Sequence, residues 1–352
     1  MGRDRRAGTG IALALCFALA LCAVAGPAAA AADGDAALNH KAPVHVLATA
    51  VRHHVVLTRT AAIAAARHTG FERVAAAAPE GVRGEEPGAL EVRSSVALVI
   101  EDKTSNVLFS RNSDVALPIA SITKLMTSLV VLEARQPMEE PLEITEEDLD
   151  TEKNTTSRLI IGTILSRRDL MHLALMSSEN RAAHALCRSY PGGLGACLEA
   201  MNNKALQLGM LSTHFNDPTG LSSQNVASAE DLAKLLEAAS QNATIREFST
   251  DAGYTVPVGR RMVAFRNTNS LVTKPGWDIA VQKTGYIVEA GKCLVMKARI
   301  EGKSVLIVLL DSVGKYTRFG DANRIKKWME SNPPLFPATP ALIKSDAPRV
   351  TS

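Results

Sequence analysis

The residues best suited to chemistry in this sequence are a serine and, three positions later, a lysine: Ser121 and Lys124. On a helix, this spacing puts the hydroxyl and the amine on one face, where they can share a proton. A serine becomes a good nucleophile only when a base takes its proton, and a lysine can be that base if burial or nearby cations lower its pKa. The pair therefore predicts a catalytic serine, although a helix cap followed by a surface lysine gives the same spacing.

Two further short motifs carry groups that could complete such a site. Ser178 and Asn180 form an S-x-N, in which a hydroxyl could relay a proton and an amide could hold a substrate carbonyl or the lysine. Lys283, Thr284 and Gly285 form a K-T-G at the end of an apolar run. There the lysine and threonine could hold a carboxylate, and the glycine could let a substrate backbone approach closely. Alone, each motif also suits an ordinary cap, turn or strand end.

The elements that must position these motifs can be predicted from the apolar pattern. The β-rich runs 94–102 and 107–110 predict a hairpin, and the apolar stretch 125–134 predicts a buried helix that begins near Ser121. Further helical or strand-like segments are found at 169–189, 228–240, 280–286, 293–300, 304–310 and 318–330. Strands at both ends of an all-helical middle region predict an α+β fold, in which the N-terminal hairpin completes a C-terminal antiparallel sheet flanked by helices.

The three motifs in this order are the signature of β-lactamases and penicillin-binding proteins. Between about residues 94 and 330 the chain resembles the low-molecular-weight penicillin-binding proteins, which are D-alanyl-D-alanine carboxypeptidases and endopeptidases. Supporting segments are 117–120, 214–221 and 317–324. The resemblance implies a β-lactamase/transpeptidase-like fold and an acyl-enzyme mechanism on peptidoglycan stem peptides, with β-lactam antibiotics as covalent inhibitors.

The resemblance also implies a role for each residue of the site. Ser121 would attack the substrate with Lys124 as base and Ser178 as proton relay, and the backbone N–H groups of Ser121 and Tyr286 would form the oxyanion hole. The expected substrate-binding residues are Asn180, Lys283, Thr284, Gly285, Tyr286 and Arg318. Burial and the charge of Lys283 are both expected to lower the pKa of Lys124. The loop 217–220 is expected to be structural, with its aspartate bonding backbone N–H groups.

The segment 286–293 looks most like that of the endopeptidase subgroup, which cuts D-alanyl-meso-diaminopimelate cross-links. A D-alanyl-D-alanine carboxypeptidase is the main alternative, because both reactions share one acyl-enzyme. A β-lactamase would need a deacylating glutamate, and between residues 189 and 227 the sequence offers only Glu199. A non-catalytic peptidoglycan-binding protein would not need the full set of reactive side chains.

The two ends of the chain differ in composition from the centre. Three arginines, an apolar run at 11–25 and small residues predict a signal peptide at 1–32, with a retained anchor as the alternative, and hence a periplasmic protein. We expect an Ala-rich leader or linker at 33–93, the peptidase domain at 94–332 and a Pro-rich tail at 333–352. Loose association with the cell wall or membrane is compatible with these ends.

The overall charge and the histidines exclude some partners. The net charge of +3 falls to about +1 without the signal peptide, which implies no nucleic-acid partner. Five of the eight histidines lie in the leader, but their spacing matches no metal site, so neither metal nor cofactor is expected. Cys187 and Cys197 flank a turn between two predicted helices, and the sequence leaves open whether they form a disulfide or remain buried thiols.

Overall fold

The computed structural model of the chain describes residues 90–332. The predicted signal peptide, the tail from residue 333 and the leader before residue 90 lie outside these described residues. The last residues of the predicted linker pack on the domain: Val92 is buried, and the backbone N–H of Arg93 donates to Asp321 at 2.9 Å. Val92 and Arg93 therefore contact the domain that the sequence predicted to begin at Ser94.

The strands of the described region are β1 (Val96–Glu101), β2 (Val107–Arg111), β3 (Leu117–Pro118), β4 (Pro141–Glu143), β5 (Ile164–Ser166), β6 (Val226–Ala227), β7 (Gly253–Val258), β8 (Arg261–Arg266), β9 (Asp278–Ile287), β10 (Gly291–Ile300) and β11 (Lys303–Ser312). Its α-helices are α1 (Thr123–Glu133), α2 (Arg167–Met176), α3 (Asn180–Arg188), α4 (Gly193–Gln207), α5 (Ala229–Gln241), α6 (Ala243–Thr250) and α7 (Thr317–Ser331). Short 3₁₀ turns cover Ala120–Ile122, Glu146–Asp148 and Ser270–Thr273.

The main sheet is antiparallel and has the order β2-β1-β11-β10-β9. Val96 pairs with Leu310 and Glu101 with Val305, so the first hairpin joins the last strand of the sheet. This confirms the prediction that the N-terminal hairpin completes the C-terminal sheet. It also leaves β9, the strand of the K-T-G motif, at an edge.

Both faces of the sheet are buried at β1 and β11, which explains why these two strands are mainly apolar. Along β1, Val96 and Leu98 enter the core shared with α1 to α6, while Ala97 and Val99 enter a second core under α7. Successive strand side chains point to opposite faces, so each strand serves both cores. The predicted α+β architecture, with helices flanking an antiparallel sheet, is confirmed.

The middle region is mainly helical, but the prediction of an all-helical region needs one amendment. Two-stranded antiparallel ribbons occur between β4 and β5, between β7 and β8 and between β3 and β6. The predicted helical stretch 169–189 is divided into α2 and α3 by the turn that contains Ser178. The start of α5 is as predicted, because the Ser228 side chain accepts the backbone N–H of Asp231 at 3.1 Å.

Cys187 and Cys197 form a disulfide that joins α3 to α4, with Cα atoms 5.4 Å apart. This decides between the two alternatives that the sequence left open. Cys293 is a free, fully buried thiol, and burial raises its pKa to about 12. Because the thiolate is the reactive form, Cys293 is inert at neutral pH.

Candidate active site

Ser121 lies in the 3₁₀ turn that leads into α1, and Lys124 lies in the first turn of that helix. The serine is half-buried, whereas the lysine side chain is fully buried. Ala120, just before the serine, has a positive φ of 49°, a conformation that alanine rarely adopts. Such a backbone is held only where the surroundings impose it, and this commonly occurs beside reactive groups.

The amine of Lys124 has three neighbours within hydrogen-bond distance. It lies 2.9 Å from the Ser121 hydroxyl, 2.8 Å from the Asn180 side-chain oxygen and 2.6 Å from the Thr219 backbone oxygen. The last two are carbonyl oxygens, so they can only accept. A neutral amine that donates one N–H to each of them directs its lone pair at the serine. This is the geometry that a general base requires.

Burial lowers the pKa of Lys124 to about 7, and the negative charges of Asp217 and Glu179 oppose this shift. A large fraction of the lysine is therefore neutral near pH 7. Burial also lowers the pKa of Lys283, and there the charge of Lys124 acts in the same direction. The expected effect of the Lys283 charge on the pKa of Lys124 stays a prediction.

The loop 216–225 holds Thr219 in place. The Asp217 carboxylate accepts the backbone N–H groups of Thr219, Gly220 and Ser222 at 2.6–2.9 Å. A Cβ atom on Gly220 would lie 1.9 Å from the backbone oxygen of Ala120, so only glycine fits there. The predicted structural role of this loop is confirmed, and the loop also supplies the backbone oxygen that orients Lys124.

Ser178 and Asn180 lie in and just after the turn between α2 and α3. Ser178 has a positive φ of 64°, and Asn180 is the first residue of α3. While its oxygen faces Lys124, the Asn180 amide nitrogen donates to the Thr155 hydroxyl at 3.0 Å. This second bond fixes the orientation of the amide.

Lys283 extends from β9 to the S-x-N turn. Its amine donates to the Ser178 hydroxyl at 2.8 Å and to the Thr284 backbone oxygen at 2.9 Å. Burial, followed by the charges of Lys124 and Arg318, lowers its pKa well below the ordinary value. The structure thus joins Ser121 to Lys124 and Ser178 to Lys283 as two hydroxyl-amine pairs, with Asn180 beside the first pair.

Gly285 makes a close contact that the sequence did not predict. A Cβ atom there would lie 2.8 Å from the backbone oxygen of Ile119 and 3.2 Å from the backbone nitrogen of Ser121. The glycine therefore lets β9 approach the turn that carries the serine, rather than only a substrate. This contact places the residue before Tyr286 beside the backbone of Ser121. An oxyanion hole formed by the N–H groups of Ser121 and Tyr286 stays a prediction.

The predicted substrate-binding residues Thr284 and Arg318 come from β9 and α7. The hydroxyls of Thr284 and Thr268 are 2.6 Å apart. Arg318, in the first turn of α7, donates to the Lys315 backbone oxygen at 3.0 Å. Its charge acts on Lys283, so it belongs to the electrostatic surroundings of the site. Glu199, the glutamate weighed for a β-lactamase, is exposed on α4.

Sequence reasoning missed three residues that position the site: Thr155, Thr219 and Thr268. Thr219 acts through its backbone oxygen, which leaves no trace in a side-chain motif. Thr155 and Thr268 act on Asn180 and Thr284 from segments far away in sequence. Only the Pro-Thr-Gly sequence after Asp217 gave a local signal, because it predicted a fixed turn.

A sequence profile described as D-alanyl-D-alanine carboxypeptidase matches residues 82–314. The chain belongs to this family. A D-alanyl-D-alanine endopeptidase of Pseudomonas aeruginosa is 46% identical over 257 residues, which cover 72% of this chain and 82% of the relative. A D-alanyl-D-alanine endopeptidase of Escherichia coli is 44% identical over 250 residues, which cover 68% of this chain and 78% of the relative.

More distant members of the D-alanyl-D-alanine carboxypeptidase family are also similar in sequence and in structure. A D-alanyl-D-alanine carboxypeptidase of Streptomyces is 28% identical over 270 residues, covering 70% of this chain and 92% of the relative. The crystal structure of a DD-transpeptidase from Streptomyces superposes with a TM-score of 0.64 at 26% identity, covering 68% of this chain and 98% of that one. The predicted family and the predicted transpeptidase-like fold are therefore both confirmed.

Proposed function

We propose that this chain is a serine endopeptidase that hydrolyses D-alanyl-meso-diaminopimelate cross-links through an acyl-enzyme on Ser121. The relatives at 44–46% identity carry the name endopeptidase, whereas the Streptomyces relative at 28% is named a carboxypeptidase. The observation that carries the catalytic part is the placement of the buried Lys124 amine, 2.9 Å from the serine hydroxyl and held by two carbonyl oxygens.

Acylation begins when the Ser121 oxygen attacks the carbonyl carbon of the D-alanyl residue and its proton moves to the Lys124 amine. The backbone N–H groups of Ser121 and Tyr286 stabilise the negative charge that develops on the carbonyl oxygen. Asn180 has its amide beside this position and can hold the stem peptide. Since the geometry is set before substrate arrives, little reorganisation is needed at the moment of reaction.

The scissile C–N bond breaks when the leaving nitrogen receives a proton. Ser178 supplies this proton from its hydroxyl and regains one through the network of Lys124 and Lys283. Thr284 and Arg318 hold the carboxylate of the leaving residue. Water then attacks the ester on Ser121 and gives a proton to Lys124. Lys124 passes this proton to the departing Ser121 oxygen, so the shortened stem is released and the serine hydroxyl is restored.

A D-alanyl-D-alanine carboxypeptidase remains the second candidate, since the family profile carries that description and both reactions form the same acyl-enzyme. The purified protein should be incubated with cross-linked muropeptide dimers and, separately, with uncross-linked pentapeptides, and the products separated by mass. We expect conversion of dimers to monomers, with Ser121→Ala inactive on both substrates. Release of D-alanine from pentapeptides without cleavage of dimers would make the carboxypeptidase the correct function.

We also propose that the protein is exported to the periplasm by residues 1–32 and associates there loosely with the cell wall or membrane. β-Lactam antibiotics should acylate Ser121, because they present a reactive carbonyl to the same nucleophile. In the described part of the chain, no helix combines the length and apolarity that crossing a bilayer would take.

A further inference from the structure

Cationic and aromatic side chains surround the end of the sheet next to Arg318. We call this group the cationic rim, and it consists of Tyr286, Lys292, Lys315, Tyr316 and Arg318. The Lys292 amine lies 3.5 Å from the centre of the Tyr286 ring, and the Lys315 amine lies 5.3 Å from that of Tyr316. Both tyrosines are largely exposed, at 56% and 65% of their surface.

The rim continues the carboxylate-binding side of the active site. Tyr286 follows Thr284 by two positions on β9, so the two side chains leave the same face of the strand. Lys292 is paired with Tyr286 across β9 and β10, and Arg318 is joined to Lys315 by its hydrogen bond to the backbone. A group held by Thr284 and Arg318 is therefore bordered by both lysines.

The lysines are not neutralised by acids. In residues 90–332, none of Lys292, Lys315 and Arg318 forms an ion pair. Glu289, in the turn after β9, is paired with Lys153 at 2.5 Å, and Asp311 on the neighbouring strand accepts the Ser95 hydroxyl at 2.9 Å. Partial burial and the charges of Arg318 and Lys315 lower the pKa of Lys292. Three cations kept together without a counter-ion form a surface suited to an anionic ligand.

We infer that the cationic rim binds the leaving peptide stem of a cross-linked substrate, with Lys292 and Lys315 as specificity-determining residues. This rests on the proposed function. In cross-link cleavage, the residue whose carboxylate lies at Thr284 and Arg318 continues through its side chain into a second stem, which ends in its own carboxylate. In a carboxypeptidase reaction the leaving group is free D-alanine, which has no second stem to extend past Arg318 to Lys292 and Lys315.

The test compares two substrates in the double variant Lys292→Gln/Lys315→Gln. We expect kcat/KM for cross-linked dimers to fall roughly tenfold, which is the size expected for losing two partly exposed charge contacts. Cleavage of pentapeptides, if the wild type shows it, and acylation by penicillin should stay within about twofold, because neither substrate extends to Lys292 and Lys315. The wild-type rate on dimers should fall with added salt, and the variant should lose most of that dependence.

Two control variants separate the effect of charge on dimer cleavage from the effects of packing and of position. Lys292→Arg/Lys315→Arg keeps the charges and should keep dimer cleavage near the wild-type rate. Lys103→Gln removes one exposed charge from the β1–β2 turn, at the opposite end of the sheet, and should change nothing. Equal losses on dimers and in penicillin acylation, or an unchanged rate on dimers, would overturn the inference while leaving the proposed function intact. A wild-type protein that fails to cleave dimers would instead refute the proposed function.

Discussion

The pKa of Lys124 makes the acylation of Ser121 steeply dependent on pH. An ordinary lysine with a pKa of about 10.4 is only about 0.04% neutral at pH 7. Burial lowers the pKa of Lys124 to about 7, so about half of the protein carries the neutral base at that pH. Burial therefore raises the fraction of neutral lysine at pH 7 by a factor of about 10³.

This pKa fixes the expected profile. The neutral fraction of Lys124 falls from about a half at pH 7 to about 1% at pH 5, so the second-order rate of acylation by penicillin should be about 50-fold lower at pH 5 than at pH 7. The rate should level off above pH 8. Stopped-flow measurement with a fluorescent penicillin would give the profile. A rate that is constant from pH 5 to pH 8 would refute the assignment of Lys124 as a base that titrates near neutrality.

A substitution at Glu179 tests whether a nearby charge acts on the pKa of Lys124. Its negative charge opposes the lowered pKa of Lys124, and its carboxylate accepts the Ser157 hydroxyl at 2.6 Å. Glu179→Gln keeps an acceptor for that hydroxyl but removes the charge, so the pKa of Lys124 should fall further. Because Glu179 does not contact the amine, the shift should be smaller than about one unit.

In Glu179→Gln, the rise of the acylation rate with pH should therefore occur at lower pH. The rate at pH 6 should be severalfold higher than in the wild type, and the rate above pH 8 should be unchanged. Glu199→Gln, at an exposed position on α4, is the matched control and should leave the profile in place. An unshifted rise in Glu179→Gln, or equal shifts in both variants, would contradict the electrostatic argument.

Three further changes have definite expected outcomes. Ser121→Ala should abolish covalent labelling by penicillin without changing the thermal unfolding curve; labelling at the wild-type level would exclude it as the nucleophile. Gly220→Ala should lower the free energy of unfolding by about 3 kcal/mol or more, since its Cβ would lie 1.9 Å from the Ala120 oxygen; denaturant melts that match the wild type would show that the loop can move away. Cys187→Ala/Cys197→Ala should cost about 2–3 kcal/mol because the disulfide closes a short loop, and a double variant as stable as the oxidised wild type in urea would contradict this.

The helices and strands that carry the motifs could be predicted from the sequence more completely than the contacts between the motifs. β1 and β9 to β11 could be predicted because they are long apolar runs, and burial on both faces of the sheet requires such runs. The ribbon of β7 and β8 was missed. Most of its side chains are partly or fully exposed and β7 contains Pro257, so the usual signs of a buried strand are weak.

The chemistry could be predicted only as far as side-chain types determine it. The spacing of Ser121 and Lys124 implied a shared proton, and their 2.9 Å contact agrees with this. The third partner of the amine, the backbone oxygen of Thr219, has no residue-specific signal. The lowered pKa of Lys124 also needed the structure, because the sequence does not show that this side chain is fully buried.

The pairing of β1 with β11 determines when this domain can fold. Among residues 90–332, β11 is the only strand besides β2 that pairs with β1. The apolar edge of β1 therefore stays open until β11 has been made. Val96 is separated from its partner Leu310 by most of the domain. At a translation rate of about 5–20 residues per second, the hairpin waits roughly 10–40 s for that strand. Long-range pairing of this kind is intrinsically slow to form, and an unpaired apolar edge invites aggregation. A chain truncated before Lys303 can never form this pairing, so it should depend on chaperones and be degraded rather than accumulate.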